Sequence, residues 1–186
     1  MDLICKINPP SLKSLYWIIL TIDYFTKRVE AEEYVSVTHN TVIQFLERHI
    51  FYRFGLPETI VADNGFVFRA GEVLQLGYNM QVKMLTSTPY YAQRNGQAEA
   101  SNKVMIEIIE KMIKDKPRCW HETLSEALWA YRNSKRTSTG TTPYRLVFGH
   151  DVVLPMELNV KSARVALQHD RCITALPSSL RVWILR

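Results

Sequence analysis

Two carboxylates stand out by where they fall in the chain. Asp63 ends the apolar run Thr59-Ile60-Val61-Ala62 and is followed at once by Asn64-Gly65. A short β-type run that breaks at Asp-Asn-Gly puts a carboxylate at the carboxyl end of a strand, with the turn residues directly behind it. Glu99 lies in the first turns of a predicted helix, after the polar stretch from Ser87 to Gln93. In open α/β sheets the carboxyl edge of the strands is where ligands and chemistry collect, and carboxylates there are oxygen ligands for hard cations. The 35 residues between them suffice for a helix, a strand and a loop that return the chain to the first carboxylate. Each residue also has a plainer reading. An Asp before Asn-Gly is ordinary turn chemistry, and a Glu near a helix start complements the helix dipole.

The elements that must position this pair can be read in order. Leu3 to Ile7 alternates as a strand and is stopped by Asn8-Pro9-Pro10. Leu15 to Ile22 is a continuous β-branched and aromatic run, expected as a central buried strand. Asp23-Tyr24-Phe25-Thr26-Lys27 turns the chain into a third strand, Val29 to Val35, and the short turns predict an antiparallel meander. Thr38 then caps a helix carrying Val42, Phe45, Leu46 and Ile50 at helical spacing, which Gly55 and Pro57 stop. The strand ending at Asp63 follows, then a short helix over about 71–76 and a strand over 81–85. The helix carrying Glu99 is expected to run to about Asp115, where Pro117 ends it, and another spans about Trp120 to Asn133. Trp120, Trp129 and Tyr131 are expected in the core. Three strands, then alternating helices and strands, then helices, describe an α/β layer fold with a mixed five-stranded sheet.

Composition sets wide bounds. A chain of 186 residues fits one domain with a real core, and 47% hydrophobic with 22% charged residues is globular composition. The net charge of +5 suits a polyanionic partner without demonstrating one. Cys5, Cys119 and Cys172 are scattered, with no paired spacing that would encode a zinc knuckle. The longest early apolar run, Leu15 to Ile22, is far short of a membrane span, and no cleavable signal is visible, so no membrane partner is expected.

The wording around the two carboxylates is more specific than their positions. Asp63-Asn64-Gly65, the 35-residue gap, Pro89-Tyr90-Tyr91-Ala92-Gln93 and the run Asn95-Gly96-Gln97-Ala98-Glu99-Ala100-Ser101-Asn102-Lys103 resemble the integrase catalytic core of gypsy-type LTR retrotransposons and retroviruses. The resemblance extends from Asp2 to about Asp170. It implies a ribonuclease H-like fold, with an integrase core over 1–170 truncated at its N-terminal edge and a divergent tail over 171–186.

The resemblance also implies a chemistry. Two-metal phosphoryl transfer needs several carboxylates converging on two divalent ions, Mg2+ or Mn2+. Asp23, at the end of a central strand, and Asp2, at the start of the first, are the candidates for the third carboxylate, and spacing alone favours Asp23. The family wording Asp2-Leu3-Ile4 before Lys6-Ile7-Asn8-Pro9-Pro10 selects Asp2 and leaves Asp23 as a turn residue. Asp2, Asp63 and Glu99 are therefore the expected catalytic and metal-binding residues. Asn102 and Lys103, three and four positions after Glu99, share its helix face. With Tyr90, Gln93 and Asn95 of the preceding loop they are the expected nucleic-acid contacts, while Lys111, Lys114 and Lys116 are read as a solvated face. The implied partners are DNA, as element ends and target, and further copies of the chain. The implied function is 3′-end processing and strand transfer, in the nucleus with a cytoplasmic phase. Activity in this copy stands as a separate question. An inactive relic that still binds nucleic acid is the alternative, and a ribonuclease H-type nuclease is a third reading on the same fold.

Overall fold

The structure, a computed structural model, describes residues 1–4, 7, 9–86, 103–104, 107–108, 110–111, 114–115, 117–154, 156–157, 163–165 and 167. Strand β1 (Asp2–Ile4) pairs antiparallel with β2 (Trp17–Ile22), and β2 pairs antiparallel with β3 (Val29–Tyr34). This is the expected meander. Its central strand is wholly buried over Ile18, Ile19 and Leu20 because both faces of the sheet are covered. The turn out of β2 is closed by Asp23, whose Oδ2 accepts the backbone N–H of Thr26 at 2.9 Å and also its hydroxyl. Asp23 is thus engaged as a turn residue.

Helix α1 (His39–Phe45) starts at Thr38, whose hydroxyl accepts the N–H of Thr41, while the Thr41 hydroxyl accepts the N–H of Thr38. This reciprocal cap satisfies two otherwise orphaned donors. The helix does not run on as a regular α-helix. It passes into a π-helical stretch, Leu46–Phe51, and a last short turn, Tyr52–Phe54, before Gly55 reverses the chain at φ 83°. His49 is held within that stretch by stacking on Phe45, ring centroids 5.0 Å apart, and by Glu32 at 2.9 Å.

Strand β4 (Thr59–Ala62) pairs parallel with β5 (Lys83–Thr86), and α2 (Gly71–Asn79) makes the crossover between them. Gly77 lets that helix close on the strand: a Cβ there would stand 2.5 Å from Met84 Cγ and 3.0 Å from the Val82 carbonyl oxygen. The described strands therefore form a three-stranded antiparallel sheet and a two-stranded parallel one, not the single five-stranded sheet expected.

Beyond β5, the described residues between 103 and 115 are helical, Pro117 to Cys119 form a turn, and α3 spans Trp120–Asn133 as expected. A further helix, α4 (Pro143–Phe148), had no counterpart in the sequence reading. Two apolar clusters sandwich the meander. On one face Ile18, Leu20, Val29 and Ala31 meet Trp120, Leu124, Leu128 and Tyr131 of α3, with Ile4 and Ile108 packed alongside. On the other, Ile19 meets Val42, Phe45 and Leu46, together with Ile60, Val73 and Val82 of the parallel unit. Trp129 corrects the sequence reading. It lies off the buried stripe of α3 and is 47% exposed, whereas Trp120 and Tyr131 are in the core. No helix among the described residues is long and apolar enough to cross a membrane.

Candidate active site

Asp2 and Asp63 come together at the joint between the two sheets. The Met1 amine donates to the Val61 carbonyl at 2.5 Å, and the Asp63 N–H donates to the Met1 carbonyl at 3.1 Å. These two bonds straddle Ala62 in the pattern of a parallel pair. Both the Asp2 and Asp63 carboxylates act electrostatically on the Met1 ammonium. Burial lowers the ammonium's pKa below its ordinary 8.0, and the two carboxylates oppose that shift.

Each carboxylate is aimed by its backbone. Asp2 lies opposite Leu20 in the β1–β2 register, and Leu20 is opposite Ala31. Directly opposed residues share a sheet face, so Asp2 projects on the face that α3 and Ile108 cover. Its Oδ1 accepts the N–H of Leu3 at 2.8 Å. Asp63 is exposed, and its Oδ1 accepts the N–H of Asn64, so the turn residue fixes the carboxylate it follows. Gly65 behind it is close to Phe68, since a Cβ there would meet the Phe68 ring at 3.3 Å.

Of the other expected site residues, Lys103 is helical and exposed. Glu99, Tyr90, Gln93, Asn95 and Asn102 lie outside the described residues. Among the described residues no three His, Cys, Asp or Glu side chains are grouped to hold a metal ion. Two adjacent carboxylates, both hard oxygen donors, fit part of a site for a hard divalent cation.

A feature the sequence reading missed lies at the β3 edge. Glu30, 3% exposed, accepts Arg28 Nε at 2.8 Å, Arg132 Nη2 at 2.7 Å and Arg53 Nη1 at 3.3 Å. Arg132 Nε also donates to the Val29 carbonyl at 2.9 Å. Burial depresses the Arg132 pKa, which Glu30 opposes and the neighbouring arginines reinforce. Glu30 is one of three glutamates in Val29–Tyr34, and nothing in the sequence sets it apart from Glu32 and Glu33.

No family model matches the chain. Curated relatives nonetheless span it. The Pro-Pol polyprotein of simian foamy virus type 3 (strain LK3) is 25% identical over 185 residues, covering 94% of this chain and 16% of the polyprotein. The Tf2-3 transposon polyprotein of Schizosaccharomyces pombe is 24% identical over 171 residues, covering 81% of this chain and 13% of the polyprotein. The feline foamy virus Pro-Pol polyprotein is 30% identical over 100 residues, 54% of this chain and 9% of its own length. The chain thus spans less than a fifth of each of these polyproteins. Among solved structures, a chain of the simian T-cell lymphotropic virus intasome in complex with a PP2A regulatory subunit aligns with TM-score 0.62 and 25% identity, over 78% of this chain and 52% of that one. The catalytic core domain of BIV integrase aligns with TM-score 0.60 and 21% identity, over 80% of this chain and 92% of its own, and supports the fold alone. The mixed α/β fold is shared with these integrase structures, and the sequence is similar to those of retroviral and transposon polyproteins. The chain thus resembles the integrase cores of retroviral and transposon polyproteins.

Proposed function

We propose that this chain is the core of a polynucleotidyl transferase that trims and joins the DNA ends of a retrotransposon. The observation that carries the reading is the Met1 joint, which brings Asp2 and Asp63 from separate strands to one place. On this reading the two bonds at Met1 join the two sheets into one five-stranded ribonuclease H-like sheet in the order β3-β2-β1-β4-β5.

Asp2, Asp63 and Glu99 would hold the divalent cations, magnesium or manganese. Such ions supply Lewis-acid stabilisation of charge on phosphoryl oxygens in an in-line displacement. The chain's own part is to fix these carboxylates as ligands: Asn64 orients Asp63 through its N–H, and the β1–β2 register orients Asp2. Lys103, exposed on the helix that follows Glu99, would meet a DNA phosphate, with Asn102, Asn95, Gln93 and Tyr90 as further contacts. Partners are then element-end and target DNA and further copies of the chain, and the site of action is the nucleus after a cytoplasmic phase.

The test is thermal melting with and without manganese, beside Asp2→Asn and Glu99→Gln, followed by oligonucleotide joining. A ligand that binds only the folded state raises the midpoint. A rise that both substitutions blunt, with joining they abolish, supports the reading. A cooperative melt indifferent to manganese, with no joining, would reduce the chain to a relic that retains the fold.

A further inference from the structure

The arginine cluster around Glu30 has more charge than its carboxylate can balance. Three guanidiniums meet one carboxylate, a surplus of two positive charges. Among the described residues, the charges acting on Arg132 are Glu30, Arg28 and Arg53, with no second carboxylate. Placing like charges together costs free energy unless an anion offsets it.

The donors are also not used up. Arg28 is clamped between the rings of Phe54 and Phe148, at 5.2 and 5.3 Å from their centroids, and its Nη1 is buried without an acceptor. Arg53 directs Nη1 at Glu30 while its side chain is 50% exposed. Phe54 and Phe148 are each nearly half exposed, so the cluster opens to solvent past two aromatic rims. A carboxylate needing only neutralisation would be satisfied by Arg28 and Arg132, which hold one oxygen each at 2.8 and 2.7 Å. Arg53, at 3.3 Å, is the longest contact and the most exposed.

We propose that Arg53, with Arg28 and Arg132 behind it, forms an anion site for a phosphate group at the β3 edge. Planar guanidiniums match phosphate oxygens in geometry and charge. Glu30 holds the three forks in place before the anion arrives, so little side-chain order is lost on binding. The site is two strands away from Asp2, about 10 Å at the usual strand spacing. It is therefore separate from the carboxylate pair and needs neither a metal ion nor strand joining.

The probe is inorganic phosphate, titrated into the full chain with ionic strength held constant by sodium chloride, with melting midpoint as the readout. At ten times its dissociation constant, phosphate should raise the midpoint by about 3–6 °C. The rise should vanish in Arg53→Gln, diminish in Arg53→Lys and persist in Asp63→Asn. No rise in the wild-type chain, or an equal rise in Arg53→Gln, would overturn the site and leave the cluster a structural staple. A second arm identifies the source of the phosphate. Binding of a short DNA duplex across a salt series should lose about one unit of salt slope in Arg53→Gln if the nucleic-acid backbone supplies it. An unchanged slope, with the phosphate-induced rise intact, assigns the site to free phosphate.

Discussion

The backbone N–H of Asp63 donates to the carbonyl of Met1 at 3.1 Å, one residue before Asp2. Together with the bond from the Met1 amine to the Val61 carbonyl, it brings side by side two carboxylates that are 61 positions apart in sequence. Asp63→Asn keeps the side-chain oxygen that accepts the Asn64 N–H, so the turn should survive. The metal-free melting midpoint is expected to stay within about 2 °C of wild type, since exposed substitutions of this kind cost little. The manganese-induced rise should fall and DNA joining should drop beyond the 10–100-fold typical of losing an outer-sphere partner of a metal. A metal response equal to wild type would remove Asp63 from the site.

Gly77 is a packing requirement of the α2–β5 contact. Gly77→Ala places a methyl 2.5 Å from Met84 Cγ and 3.0 Å from the Val82 carbonyl. The methionine can turn away, but the carbonyl belongs to the backbone. Urea denaturation should show a loss of about 1–3 kcal/mol, the range for overpacking a filled interior.

The two tryptophans of α3 should respond very differently. Trp120 is 1% exposed within the cluster beneath the sheet, and Trp129 is 47% exposed. Trp120→Ala is expected to lose about 3–5 kcal/mol by chemical denaturation, and Trp129→Ala about 0.5 kcal/mol or less. Comparable losses would contradict the observed facing of the helix.

Tyr34 predicts a pH dependence. Its phenol pKa is raised well above the ordinary 10.0, first by burial and then by its hydrogen bond to Glu32. A folded-state pKa above the unfolded one gives a contribution that is full below about pH 10 and is lost as pH rises beyond it, because the unfolded phenol ionises first. Tyr34→Phe should therefore show a smaller fall in midpoint between pH 9 and pH 11 than the wild-type chain. A parallel fall in the two would refute the linkage.

Much of this architecture was legible because it rests on local signals. The β2 run, the Thr38 cap and the break at Asp63-Asn64-Gly65 are each contained within a few residues, and each appears where expected. Helix α4 was legible too and was overlooked. Thr142 caps it through the N–H of Arg145, Pro143 opens it, and Gly149 ends it at φ 78°. Trp129 departs from expectation because its position on the helix, not its aromatic character, decides its exposure. The buried residues Trp120, Leu124, Leu128 and Tyr131 recur at helical spacing, and 129 falls off that stripe. The Glu30 cluster was not legible at all. Its arginines come from positions 28, 53 and 132, and only tertiary folding brings them to one carboxylate.

The π-helical stretch Leu46–Phe51 gives Arg53 its bearing. A π turn accommodates one residue more than an α turn, and each residue of an α-helix advances about 100° around the axis. Regularising the stretch into α-helix at constant length would swing Arg53 through roughly that angle, away from Glu30, whereas deleting one residue would let the helix regularise with Arg53 near its present bearing. Chain length at this point thus acts as a rotational setting: the residue that the π turn absorbs is what keeps Arg53 facing the cluster.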